Sequence, residues 1–215
     1  MIEAVVFDLD GVVVDSEQVW DDVREQLAKE RGGRWHEGAQ AAMMGMSSPE
    51  WSAYMHDEIG LTEPPEEINA EVVRRMLERY RERLPLIPGA VDAVRRLAPD
   101  LRLGVASSSN RPLIEKVLEQ ACIADLFEAV VSSEEVAAGK PAPDVYLEAT
   151  RRLEVEPGRA AAVEDSSNGI RAAHAAGLRV IALPNAHYPP AVDALALADA
   201  VVATPAELTP ELVRG

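Results

Sequence analysis

The stretch Ala4-Val5-Val6-Phe7-Asp8-Leu9-Asp10-Gly11-Val12 decides how the whole chain is read. Its apolar run predicts a short strand buried on both faces, the kind found inside a parallel sheet. The run stops at two carboxylates one residue apart, followed by a glycine. In an open α/β sheet, ligands bind in the crevice beyond the carboxyl ends of the strands, and Asp8 and Asp10 would stand there. Two carboxylates so close repel unless a cation intervenes. A Mg²⁺ ion commonly uses one or two carboxylates together with substrate phosphate oxygens. One carboxylate could then attack phosphorus while the other carries a proton. The same residues also read as an ordinary turn, with carboxylates capping a helix and Gly11 supplying a positive φ. Local spacing alone does not choose between the two.

With 215 residues the chain can form one sizeable core and a smaller second lobe. Hydrophobic residues make up 47% and charged residues 27%, as in an ordinary globular protein. A formal net charge of −16 excludes the basic footprint that nucleic acid or an anionic membrane would require. It does not exclude a phosphorylated substrate, because a bound cation inverts the local field. The single cysteine, Cys122, rules out an intramolecular disulfide, and its neighbours Ala121 and Ile123 predict a buried structural thiol. No basic start with an apolar run behind it is present, nor an apolar segment of about 18 residues, so a cytoplasmic protein is expected.

After Asp10 the strand pattern vanishes until Leu84. Helical segments are expected from Asp15 to about Arg31, from Glu37 to Met44, from Pro49 to Ile59 and from Pro65 to Arg83. Ser48 followed by Pro49 reads as the third helix's start. From Pro85 onward strands and helices alternate. Strands are expected at Leu101–Ala106, Ala129–Ser132, Ala160–Val163, Val180–Leu183 and Ala200–Val202. Helices are expected from Pro88-Gly89 to Leu97, then at Pro112–Gln120, Asp144–Leu153 and Ile170–Ala176. The fold class is therefore α/β, a doubly wound, mainly parallel Rossmann-like sheet with an all-helical insert after the first strand. Residues 1–14 and 85–215 would form the core, and residues 15–84 a helical cap.

Polar residues recur where these strands end: Asp8 and Asp10, then Ser107, then Glu164 and Asp165. In a parallel sheet those ends share one edge, and Lys140 can reach it from the preceding loop. A metal between Asp8 and Asp165, with Ser107 and Lys140 on the phosphoryl oxygens, suits phosphoryl transfer, where positioning and charge neutralisation dominate. Taken singly, each residue also has a plain role. Ser107 could cap the next helix, Lys140 could be a solvated loop lysine, and Glu164-Asp165 could favour a helix N-terminus.

Four motifs together are more specific. Asp8-Leu9-Asp10-Gly11-Val12 with Asp15-Ser16-Glu17 is the first, and Ala106-Ser107-Ser108-Ser109-Asn110 the second. Gly139-Lys140-Pro141-Ala142-Pro143-Asp144 and Val163-Glu164-Asp165-Ser166-Ser167-Asn168-Gly169-Ile170 complete the set. The chain resembles the haloacid dehalogenase superfamily, in its phosphatase and β-phosphoglucomutase-like branch. The resemblance implies a Mg²⁺ cofactor and an aspartyl-phosphate on Asp8, which would also bind the metal. It implies Asp10 as general acid and base, with its backbone carbonyl on the metal. Ser107 and Lys140 would bind phosphate, helped by the backbone at Leu9 and Asn110. Asp165 would bind the metal, with Glu164 a supporting or direct ligand.

Within that family, dehalogenation needs neither a metal nor a second aspartate, so it fits this chain less well. Phosphonate hydrolysis would need a cap lysine, and Lys29 sits among charged neighbours on a helix face. The mutase of the same branch expects a histidine where Trp20 stands and an arginine in the loop Gly45-Met46-Ser47-Ser48-Pro49, which has none. The expected activity is therefore hydrolysis of a small organic phosphate, a sugar phosphate being one candidate, with the mutase as alternative. A non-catalytic homologue that binds a phospholigand or a protein is the alternative of another class. Trp20, Arg24, Met44, Met46 and Trp51 are cap candidates to face the substrate, although Trp and Met at helical spacing also pack interiors. His36, His56, His174 and His187 form no ligand spacing and read as surface or packing residues. The oligomeric state is not set by the sequence, and a monomer is compatible with it.

Overall fold

The computed structural model describes residues 1–44, 46–185 and 188–215; Gly45 and His187, read above as cap loop and surface histidine, lie outside the described residues. Six strands form one parallel sheet: β1 (Ala4–Phe7), β2 (Arg102–Ser107), β3 (Ala129–Ser132), β4 (Ala160–Glu164), β5 (Arg179–Ala182) and β6 (Ala200–Val201). Their order is β3-β2-β1-β4-β5-β6, so the connections diverge on either side of β1. That divergence leaves a crevice at the carboxyl ends of β1 and its neighbours.

β1 is buried throughout because both faces are covered. Val5 and Phe7 pack with Ala93, Val94 and Leu97 of α5 (Ala90–Leu97) and with Leu113, Ile114 and Val117 of α6 (Arg111–Gln120). Ala4 and Val6 point the other way, into Val145, Tyr146 and Ala149 of α7 (Asp144–Arg152) and Ile170 and Ala173 of α8 (Ser167–Ala175). Each fully buried Val or Phe in this strand contributes about 1.5–3 kcal/mol. Two short helices, α9 (Val192–Leu195) and α10 (Pro210–Arg214), lie beyond what the periodicity predicts.

Between β1 and α5 the described residues make four helices, as expected: α1 (Glu17–Glu30), α2 (Ala39–Met43), α3 (Ser48–Asp57) and α4 (Pro65–Glu82). Ile68, Val72, Met76 and Tyr80 of α4 form the buried stripe that its sequence spacing demands. The two crossings into and out of this insertion are fastened together. Asp15 N donates to Pro85 O at 2.8 Å, Ile87 N donates to Val13 O at 3.0 Å, and Val14 bridges Leu86 antiparallel.

Several expectations need correction. The N-cap of α3 is Ser47 rather than Ser48, because the Glu50 carboxylate reaches back to Ser47 N (2.8 Å) and Ser47 Oγ (2.6 Å). Strand β2 runs one residue past Ala106, so Ser107 is fully buried at its end, and Asn110 rather than Ser107 is the N-cap of α6. Cys122 is exposed, not buried. It follows the C-cap of α6 with a left-handed φ of 54°, a turn that sends its side chain outward while Ala121 and Ile123 point in.

Candidate active site

Asp8 leaves β1 with its amide donated to Val163 O at 3.0 Å, which fixes it beside the end of β4. Its carboxylate meets the Lys140 ammonium at 3.0 Å, and Lys140 also contacts Glu164 Oε1 at 2.5 Å. Glu164 is fully buried and heavily engaged. Oε1 also accepts from Tyr146 Oη (2.7 Å), and Oε2 accepts from Asp165 N (3.1 Å), Ser166 N (3.3 Å) and Ser166 Oγ (3.2 Å). Ligand oxygens of Asp8, Glu164 and Asp165 all lie within 4.8 Å of one another.

Glycines make room for this cluster. A Cβ on Gly11, whose φ is +77°, would stand 1.8 Å from Asp165 Oδ2, and one on Gly169 would stand 1.8 Å from Glu164 Oε1. Gly11 therefore serves both the turn and the close approach of a carboxylate. The donors are all oxygens, the set that hard divalent cations prefer.

Burial dominates the electrostatics. It pushes the Asp8 carboxyl up to about 8, against the pull of Lys140 and with the repulsion of Glu164 and Asp10. Burial likewise raises Asp165 well above the carboxylate range, reinforced by Glu164 and Asp8. Burial opposes the Lys140 charge, but Asp8 and Glu164 outweigh it and hold that pKa above its ordinary value. Two carboxyls that resist ionisation side by side fit a site completed by a cation.

Asp10 faces the same crevice and is held by hydroxyls. Ser16 Oγ donates to Oδ1, Ser109 Oγ donates to Oδ2 at 2.6 Å, and Ser107 Oγ reaches Oδ2 at 3.4 Å. Trp20 Nε1 lies 3.4 Å from Oδ1. The cavity above is lined by Asp8, Asp10, Lys140 and Asp165 from the sheet edge and by Trp20, Arg24, Met44, Met46 and Trp51 from the helical insertion. All the named insertion candidates thus reach it. Ser107 and Asn110 do not line it: Asn110 Nδ2 donates instead to Asn69 Oδ1 (3.0 Å) and Glu134 Oε1 (2.6 Å). Ser16, Glu17 and Ser109 stand in the quoted motifs with no role of their own assigned to them, and Gln40 and Tyr146 carry no signal beyond ordinary helix positions. For Glu17 a signal existed, since it shares a helix face with Trp20 and Arg24 three and seven residues on. His36 and His56 pack as expected, on Tyr54 Oη (3.1 Å) and Glu63 O (2.9 Å).

A doubly wound parallel sheet with an acidic crevice, a buried lysine and a helical insertion after its first strand defines a class of hydrolases. The chain belongs to the haloacid dehalogenase-like hydrolases, whose family model matches residues 2–177. Hexitol phosphatase B of Escherichia coli is 32% identical over 195 residues, covering 85% of this chain and 84% of that protein. The chain spans about half of the bifunctional riboflavin kinase/FMN phosphatase of Arabidopsis thaliana, to which it is 30% identical over 183 residues, 84% of this chain and 48% of that one. CbbY from Rhodobacter sphaeroides, crystallised with phosphate, superposes with a TM-score of 0.85 at 30% identity, over 97% of this chain and 96% of that one. A mutant of the same protein in complex with xylulose-(1,5)bisphosphate gives a TM-score of 0.87 at 27% identity over all of both chains.

Proposed function

We propose that the chain is a Mg²⁺-dependent phosphatase that hydrolyses a small phosphorylated metabolite through a phosphorylated Asp8. The observation that carries this is the convergence of Asp8, Asp10, Lys140 and Asp165 in one cavity at the carboxyl edge of the sheet. Asp8 Oδ attacks phosphorus while the ester P–O bond breaks, and the leaving oxygen takes a proton from Asp10. A water then gives its proton to Asp10 and attacks phosphorus, which releases inorganic phosphate and restores Asp8. Ser16 and Ser109 hold the Asp10 carboxyl in place for both transfers. Lys140 restrains Asp8 and binds a phosphoryl oxygen, and the backbone amide at Leu9 adds a contact. Ser107 and Asn110, which stand outside the cavity lining, act behind it by holding Asp10 and the start of α6.

Asp8, the carbonyl of Asp10 and Asp165 are the residues that would hold Mg²⁺, with Glu164 supporting them through its grip on Lys140. The ion supplies charge neutralisation between the anionic nucleophile and the anionic phosphate. Residues 1–14 and 85–215 act as the catalytic core, and residues 15–84 as a cap that closes over it and excludes water.

The test is hydrolysis of p-nitrophenyl phosphate with Mg²⁺ or with EDTA, by the parent and by Asp8→Asn. The parent should be active only with metal, and Asp8→Asn should lose at least about a thousandfold. Activity that survives the substitution would sink the mechanism, and none in the parent would favour a binding protein. Supplying β-glucose 1-phosphate with a bisphosphate primer separates the mutase reaction, since accumulation of glucose 6-phosphate rather than free phosphate would reassign the activity.

A further inference from the structure

Arg24 is the one buried arginine among the described residues, 5% exposed, and it forms no ion pair there. Its guanidinium lies 4.5 Å from the ring centre of Trp20 and 4.7 Å from that of Trp51. Nη1 makes only a long contact, 3.5 Å, to Gln40 Oε1, and Nε has no partner. A desolvated cation with open donors is costly unless something arrives to use them. It lines the cavity that holds Asp8 and Asp10.

Two helical turns earlier on the same face, Glu17 lines that cavity too, and Gln40 Nε2 holds its Oε2 at 3.0 Å. Acceptor and donor are therefore mounted side by side, each steadied by the same glutamine, with indole rings around them. An anionic group would satisfy Arg24 but meet the Glu17 carboxylate. Lys140, the other cation lining the cavity, is already engaged by Asp8 and Glu164. A hydroxyl group satisfies both sides, donating to Glu17 and accepting from Arg24, while C–H groups of a carbon chain rest on the indoles.

We infer that Glu17 and Arg24 form a hydroxyl-recognition subsite for the leaving group, so that the substrate is the phosphate monoester of a polyol or sugar rather than a bisphosphate or a simple alkyl phosphate. This rests on the phosphatase reading above. A site built to pair hydroxyls discriminates against analogues that lack them, because its own buried groups are then left unpaired.

The experiment compares glucitol 6-phosphate, n-hexyl phosphate, fructose 1,6-bisphosphate and p-nitrophenyl phosphate as substrates of the parent, Glu17→Gln, Arg24→Met and Arg24→Lys. The parent should prefer glucitol 6-phosphate to hexyl phosphate by about a hundredfold in kcat/KM. The ratio of glucitol 6-phosphate to p-nitrophenyl phosphate should fall about tenfold or more in Glu17→Gln and Arg24→Met, largely through KM, with Arg24→Lys between. If Arg24→Met fails to fold, Glu17→Gln decides alone. Equal use of hexyl and glucitol phosphates overturns the inference, as does an unchanged ratio in Glu17→Gln. A bisphosphate preference that Arg24→Met removes overturns it in favour of a second-phosphate site. Calorimetric binding of the same esters to Mg²⁺-loaded Asp8→Asn separates the two readings. Discrimination in binding without turnover by the parent would support the subsite and sink the phosphatase.

Discussion

Glu17 shows how the cavity taxes the groups that line it. Burial pushes its carboxyl up to about 7, helped by repulsion from Asp10 and offset by Arg24 and Gln40. Between its ordinary value and about 7, the folded chain holds a proton that the unfolded chain has released, so stability falls as pH rises through that window. Glu17→Gln should therefore gain thermal stability at pH 8, by at most about 2–3 kcal/mol, and gain nothing at pH 4. Denaturant melts at both pH values check this, and an equal effect at the two would contradict it. Asp8 carries the same sign. Since burial holds its carboxyl up to about 8, and Asp165 is raised as well, a Mg²⁺ ion bound here would displace protons at neutral pH. Titration calorimetry at pH 7 in two buffers of different ionisation enthalpy should show net proton release, with affinity rising toward pH 8 and levelling above it. Binding without proton release would mean that both carboxyls are already ionised.

At the scale of elements, the start of α8 carries the tightest constraint. Ser166 accepts from Gly169 N at 3.0 Å, and the Glu164 carboxylate presses on the bare Cα of Gly169. Gly169→Ala should cost about 1–3 kcal/mol by overpacking and should weaken Mg²⁺ binding, as read by urea melts and calorimetry. Parent-like stability would show that Glu164 moves aside freely. Much of this architecture was legible in the chain, because an apolar run that stops at a carboxylate marks both a parallel strand and its functional end. Asp8 and Asp165 stand out in that way, and Lys140 stands out as a loop lysine in the Gly139–Asp144 motif. The partners that steady them were not. Three serines in a row, Ser107 to Ser109, cannot tell which hydroxyl reaches Asp10, since that depends on where β2 releases the chain. Tyr146 sits at an ordinary core spacing on α7, and only the fold brings its hydroxyl to Glu164. Cys122 was misread because burial of its two neighbours says nothing about a residue in a left-handed turn.

For the whole molecule, the cavity is small, about 60 Å³, room for a few waters. If the substrate is a phosphorylated polyol, we expect the insertion to lift from the sheet edge to admit it. Ser47 of the insertion faces the loop before Lys140, where a Cβ on Gly139 would stand 3.0 Å from Ser47 Cβ. That is within about half an ångström of disulfide reach. In a Cys122→Ser background, Ser47→Cys with Gly139→Cys should lose most turnover when oxidised and regain it with dithiothreitol. Full activity of the cross-linked protein would show that substrate enters without such a movement. The fastening at Asp15–Pro85 and Val13–Ile87 has a longer-range meaning. Because departure and return are laced together at one edge, everything between them is a cassette. Its helices can be exchanged while the sheet, and the acidic edge it carries, keep their geometry.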